Sequence, residues 1–480
     1  MRPIIREIAY PNDPFRAFLA LARLRAPVFL DSALVSERLG RWSFMGAEPF
    51  AVLQSKGRNL RLWGLKPDRR WRSPFAALKD LLARFPVARE PGDPPFLGGA
   101  VGYWGYELRH FVERVPRRCV DDVAVPDCRL GFYDTIAALD HCNQRAYAVV
   151  TPTTHDGRDD ADERVSRLTA LLAEPPQHAP SPPVAVAPRP ALAAYPLPGS
   201  HEIYSNFTRD DYLAAIRRAK EYIAAGDIYQ VNLSQRLSAP LGCTSLDLYG
   251  RLRAVNPAPF AAYLDCGDFA VVSASPERFV QIRRREVETR PIKGTRPRGA
   301  TPQADERLAH ELLASEKDRA ENVMIVDLER NDLGRTCAYG TVHVTELCAL
   351  EKYETVFHLV STVRGRLHEG FTASDCMKAC FPGGSITGAP KVRSIEIIDE
   401  LEPTCRGVYT GAIGHVCFSG DMDTNIVIRT FVVKDGWAHF QVGGGIVADS
   451  DPAAEYQETL DKARALISAV AQPAGALRVG

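Results

Sequence analysis

Residues 407–442 read GVYTGAIGHVCFSGDMDTNIVIRTFVVKDGWAHFQV. Apolar and polar residues alternate through GAIGHVCF, NIVIRTFVV and WAHFQV, the period of half-buried strands. SGDMDT and KDG separate them and have turn composition. The stretch therefore predicts an antiparallel meander. Arg429 falls inside it, among apolar neighbours. An arginine pointing inward from a strand needs an anionic partner, because an unpaired buried charge costs several kcal/mol. A structural ion pair and a bound anion both meet that need.

Upstream of the meander the pattern stays dense. DDYLAAIRRAKEYIAAGDIYQ opens on acidic residues, carries apolar positions at helical spacing and stops at Gly226, so it predicts a helix. VNLSQRLSA, FAVVSAS and RFVQI predict strands, and residues 305–330 predict one long helix. FPGGSITGAPK is a glycine-rich loop that opens the helix VRSIEIIDEL. After the meander, Asp451 caps a last helix with Pro452 at its first position.

The first 174 residues alternate helix-like and strand-like segments, and FLGGAVGYWGYEL (96–108) implies close backbone packing in a sheet. Residues 175–199 hold nine prolines, a composition that reads as an extended linker unable to build a hydrogen-bonded ladder. The organisation is thus an N-terminal region (1–174), a Pro/Ala-rich linker (175–204), a C-terminal region rich in chemistry (205–468) and a tail (469–480).

Composition excludes several classes. Lys+Arg and Asp+Glu both total 59, so no global attraction to nucleic acid or an acidic membrane follows. The first 25 residues carry charges and prolines where an export signal has an apolar core. No uncharged run is long enough to span a bilayer. The eleven cysteines are scattered without CxxC pairs, so neither disulfides nor a zinc framework is expected, and a reducing cytoplasm is the natural compartment.

Two acidic pairs stand out. Asp318 with Glu321, and Glu455 with Glu458, each lie three apart on one helical face. Taken alone, each pair reads as a solvated face. If the two pairs converged, four carboxylates would suit a hard cation such as Mg²⁺. In FPGGSITGAPK, Ala389 stands where a phosphate-binding loop needs lysine, which leaves an anion site at a helix start, with Lys391 beside it. Gly443, Gly444 and Gly445 expose bare backbone for an anion or for close packing. His358 lies in an apolar stretch, as core histidines do, and Lys462 follows Glu458 at salt-bridge spacing. RPIKGTRPRG (290–299) places one amine, Lys293, among three arginines, making it a candidate nucleophile, with Glu277 as a candidate acid.

GDIYQVNLSQRL, SPERF, RPIKGTRPRG, EKDRAENVMIVDLERNDLG, FPGGSITGAPKVRSIEIID, YTGAIG, NIVIRT and GGGIVADSDPAAEYQETLDKA occur in that order. The set closely resembles the chorismate-utilising enzymes: anthranilate synthase component I, aminodeoxychorismate synthase component I, isochorismate synthases and salicylate synthases. The resemblance implies an α/β (α+β) fold of two facing, mostly antiparallel sheets flanked by helices, with the two halves of the chain interleaved. It implies that Glu321 and Glu458 hold Mg²⁺ directly, with Asp318 and Glu455 as outer partners. It places Tyr409, Arg429 and Gly443 to Gly445 at a substrate carboxylate, and Gly294, Thr295, Ser385 and Lys462 elsewhere around the substrate. His358 would lie near the leaving hydroxyl.

Two positions bear on which reaction is run. Isochorismate and salicylate synthases resemble one another in a lysine where this chain has Gln230, which argues against water addition. Anthranilate synthases read PIAGT where this chain reads PIKGT, and a lysine there is what aminodeoxychorismate synthase component I carries. In that family Lys293 attacks the ring while Glu277 protonates the departing hydroxyl, and ammonia then displaces the lysine. Arg290, Arg296 and Arg298 are candidate cations for keeping the amine neutral. Ammonia implies a separate glutamine amidotransferase subunit. Ser32, in FLDSA, and Pro257, in NPAPF, resemble the two sides of a tryptophan pocket.

Overall fold

The predicted meander is divided between two sheets. Ala412–Cys417 pairs with Met422–Ile426 in one, whereas Thr430–Lys434 pairs with Trp437–Ile446 in the other. NIVIRTFVV is therefore not a single strand. The chain crosses at residues 427–429, and Arg429 sits in the crossing with a left-handed φ of 51°. The alternation of apolar residues is real on both sides, but each hairpin covers a different face of the core.

The computed structural model describes residues 2–67, 69–153, 160–174, 184–200, 202–353 and 356–471. Among these, the strands form a thirteen-stranded and an eleven-stranded sheet, antiparallel throughout. Both sheets mix the two halves of the chain. Val28–Asp31 pairs with Phe260–Asp265 in the larger sheet, and Gly99–Trp104 pairs with Ala412–Cys417 in the smaller. The glycines of FLGGAVGYWGYEL serve this pairing: a Cβ on Gly102 would stand 2.0 Å from the carbonyl oxygen of Arg129. The main core unites residues of both sheets, such as Leu53, Phe132, Val271, Ile282 and Ile413. A second core packs helices against the larger sheet through Phe18, Leu168, Leu252 and Leu466.

Three other expectations need correction. The helix foreseen over 305–330 is two helices, Pro302–Ala314 and Glu316–Gly334, because Ser315 leaves helical geometry and its hydroxyl accepts the backbone N–H of Asp318. An N-cap of this kind starts a new helix. Proline-rich residues 184–200 are docked: Tyr195–Pro196 pairs with Tyr204–Ser205, and Trp437 Nε1 donates to the Ala187 carbonyl. An edge strand tolerates proline because one side needs no donor. Residues 175–183 and 201 of that segment, and 472–480 of the tail, lie outside the described residues. Finally, Cys119 and Cys405 form a disulfide across 286 residues, with Cα atoms 4.9 Å apart, a pairing that no local spacing could reveal. Among the described residues, no helix is long and apolar enough to cross a membrane.

Candidate active site

Lys293 owes its direction to a bulge. In the edge strand Ile292–Pro297, Ile292 pairs with Val360 and Thr295 with His358, so the register shifts between them. Two residues, Lys293 and Gly294, oppose Leu359 alone. Bulges re-aim side chains, and Gly294 accommodates this one with φ 79°. The Lys293 amine reaches the Ser385 carbonyl oxygen at 3.2 Å. Its stem keeps some accessibility, yet enough protein surrounds the amine that desolvation lowers its pKa, against the upward pull of Glu321 and Glu277. The cation assisting that depression is Lys462. The three arginines of RPIKGTRPRG face carboxylates instead: Arg290 pairs with Glu351, Arg296 with Glu311 and Asp318, and Arg298 with Asp305.

Glu277 follows the strand Phe269–Ser275 and is buried. Burial raises its pKa, while Ser385 and Lys293 pull it back. Apart from that pull on Glu277, the buried Ser385 hydroxyl meets no hydrogen-bond partner among the described residues. His358 accepts or donates at Thr295 Oγ1 across 2.9 Å, and burial, helped by Arg429, pushes it down to about 4. It is neutral near pH 7. Gln230 begins the strand Gln230–Pro240, is 1% exposed and has an unpartnered Oε1. Its amide lies against Gly445, where a Cβ would be 2.2 Å from Gln230 Nε2.

The three glycines 443–445 lie on Trp437–Ile446, against the last helix, Pro452–Ala471. A Cβ on Gly444 would come 3.1 Å from Glu455 and 3.7 Å from Glu458. Lys462 donates to the Gly443 carbonyl at 3.0 Å and pairs with Glu458 at 2.7 Å. The salt bridge expected from helical spacing is formed, and the same amine reaches the glycine strand.

The four carboxylates face one another only loosely. Burial raises Glu321, and Asp318 and Glu455 push it further; burial raises Glu455, and Glu458 adds to that. For Glu458 burial works upward, but Lys462, Lys317 and Lys293 outweigh it and leave its pKa lowered. Lys317 stands 3.8 Å from Glu455, and Arg296 stands 3.3 Å from Asp318. Among the described residues, no three of these carboxylates bring their oxygens within 4.8 Å of one another. The donor chemistry fits a hard dication and leaves a like-charge repulsion that one would relieve, but lysines do that work in this arrangement.

Arg429 has no carboxylate partner among the described residues. Among the described residues its guanidinium makes one hydrogen bond, from Nη1 to Asn256 Oδ1 at 3.3 Å, and burial lowers its pKa. Among the described residues the structural ion pair considered from the sequence is not formed. Tyr409 is buried beside Arg406, and burial holds its phenol above the usual range. Lys391, at the start of the helix that follows the glycine-rich loop, pairs with Asp332 at 2.5 Å.

A fully buried pair escaped the sequence reading. Arg406 binds Glu402 at 2.7 Å, and its other donors reach the carbonyls of Ile386 at 3.0 Å and Asn232 at 2.7 Å. Glu402 in turn accepts from the backbone and hydroxyl of Ser234. The pair thereby fixes the glycine-rich loop against the strand of Gln230. The two are four apart in sequence, but Pro403 breaks any helix between them, so helical spacing gave no warrant. Near the residues expected to flank a tryptophan pocket there is a cavity of about 130 Å³, lined by Ser32 and Pro259, not by Pro257. Asp31 there already accepts from Arg253 at 2.7 Å and Tyr249 at 2.9 Å.

This arrangement belongs to a known class. Residues 31–468 match the chorismate binding enzyme family, and the chain is a member of it. It is 41% identical to anthranilate synthase component 1 of Pseudomonas putida, over 96% of this chain and 93% of that protein. It is also 41% identical to aminodeoxychorismate synthase component 1 of Bacillus subtilis, over 97% and 96% of the respective chains. The solved anthranilate synthase component I of Streptococcus pneumoniae superposes with TM-score 0.77 at 31% identity, over 90% of this chain and 93% of that one. The chain is therefore an enzyme of chorismate chemistry with the anthranilate synthase component I fold.

Proposed function

We propose that this enzyme converts chorismate and ammonia to 4-amino-4-deoxychorismate, the precursor of 4-aminobenzoate in folate synthesis. The observation that carries the reading is Lys293 in the bulge, desolvated and facing Ser385 and Glu277. A lysine amine attacks only when neutral, and desolvation shifts it that way. Burial of Glu277 acts in the opposite sense and favours its protonated form, as an acid requires. The neutral amine would form a bond to ring carbon 2 as the 4-hydroxyl leaves with the Glu277 proton as water, both ring double bonds shifting through carbons 1, 6 and 5. Ammonia would then add at carbon 4, shift both double bonds back and release the lysine. Arg429 and Tyr409 would hold a substrate carboxylate, with the backbone of Gly443 to Gly445, while Thr295 orients His358.

Glu321 and Glu458 would hold Mg²⁺, with Asp318 and Glu455 behind them, and the ion would supply positive charge for the ring carboxylate. A separate glutamine amidotransferase subunit would supply ammonia in the cytoplasm.

Anthranilate synthase component I is the competing reading, supported by the equal identity to a protein of that name. Purified enzyme with chorismate, ammonium and Mg²⁺ should yield aminodeoxychorismate by mass spectrometry, and Lys293→Ala should lose it. A wild type producing only anthranilate overturns the proposal.

A further inference from the structure

Away from the lysine and the acidic helices, Glu107, Cys119 and Cys405 form a second constellation. Their ligand atoms all lie within 4.8 Å of one another, the only such trio among the described residues. Glu107 lies in the short helical turn Tyr106–Phe111 and is 6% exposed, yet neither carboxylate oxygen has a hydrogen-bond partner. Its neighbour Arg109 hydrogen-bonds Asp399 at 2.6 Å instead, so Arg109 acts on Glu107 only through its charge. A buried carboxylate without a partner costs free energy unless a proton or a cation accompanies it.

The sulfurs are positioned by backbone as well as by their own bond. Val120 N–H donates to Pro403 O at 3.0 Å, Cys405 N–H donates to Val120 O at 2.9 Å, and Arg118 N–H is held by Asp399 at 2.7 Å. Reduction of the disulfide would leave these bonds in place, so both thiols would remain beside the carboxylate. Two thiolates and one carboxylate are a soft-to-borderline donor set, which selects against Mg²⁺ and for zinc-class ions.

We propose that, with the disulfide reduced, Cys119, Cys405 and Glu107 bind one zinc-class dication, leaving one coordination position for water or an added ligand. A phosphine can prepare this state. Its phosphorus attacks one sulfur as the S–S bond breaks, and water then delivers oxygen to phosphorus, giving two thiols and a phosphine oxide. Each thiol gives up its proton when the metal binds.

The test uses the full chain, reduced with a phosphine and desalted without oxygen. Cobalt(II) should bind at one equivalent with a thiolate-to-metal charge-transfer band, and zinc should displace it. The unreduced protein and the Cys119→Ser and Cys405→Ser variants should show no such band. Glu107→Gln should keep the sulfur spectrum but bind at least about tenfold more weakly. Circular dichroism of each variant separates misfolding from ligand loss. The proposal fails if reduced wild type shows no band, if the band survives loss of both cysteines, if Glu107→Gln binds as tightly as wild type, or if the phosphine frees no thiols in the folded protein.

Discussion

Gly294→Ala tests whether the bulge aims the lysine. Gly294 has φ 79°, and a Cβ built there would lie 2.8 Å from Leu312 Cδ1 and 3.0 Å from Asp318 Cβ. The left-handed backbone alone disfavours alanine by roughly 1–2 kcal/mol. Overpacking against Leu312, which is fully buried, adds roughly 1–3 kcal/mol. The protein can relieve this by flattening the bulge, which would turn Lys293 away from Ser385, or by pushing the start of the Glu316–Gly334 helix outward, which would displace Asp318. Either route damages the site. Urea unfolding should show a loss of about 2–5 kcal/mol, the sum of the two contributions, and turnover should fall more than the folded fraction does. Stability and turnover both within error of wild type would refute the view that this backbone conformation positions the amine.

Three further outcomes follow from the same structure. Arg406→Met should destabilise by roughly 3–5 kcal/mol, because it leaves Glu402 charged and buried; the double variant Arg406→Met with Glu402→Met should recover much of that loss in the same denaturant assay. Thr289 Oγ1 lies 2.7 Å from Phe279 O and 2.9 Å from Glu329 Oε2, and burial raises Glu329 to about 8 although Thr289 pulls it back. A group whose pKa is raised on folding favours the folded state fully below its unfolded pKa and loses that advantage as pH rises to its folded value; wild type should therefore lose a few kcal/mol relative to Glu329→Gln between about pH 4 and 8, read from melting temperatures. Glu321→Gln and Glu458→Gln should each abolish any Mg²⁺ requirement together with turnover while the fold persists by circular dichroism, and a variant that keeps wild-type Mg²⁺ dependence would remove that residue from the proposed site.

What the sequence disclosed depended on whether the deciding contact is local. The strands on either side of the 427–429 crossing were legible because alternation is a property of one strand and its face. Their assignment to two sheets was not, because nothing in NIVIRTFVV distinguishes a continuous strand from one that changes sheets at Arg429. Ser315 shows the same limit in a helix: acidic and apolar spacing runs through it, and only its hydroxyl's bond to Asp318 N–H marks the break. In the site, motif order brought Lys293, Glu277 and Gln230 together without any geometry. The state of the lysine lay beyond it, since three adjacent arginines offered an obvious source of positive charge. Each proved to have its own carboxylate, and the amine is lowered chiefly by burial, with help from Lys462, 169 residues away in sequence. Charge density along a sequence therefore says little about the field at one amine. That field depends on which cations remain unpaired once the chain has folded, and on how much water the surrounding protein has removed.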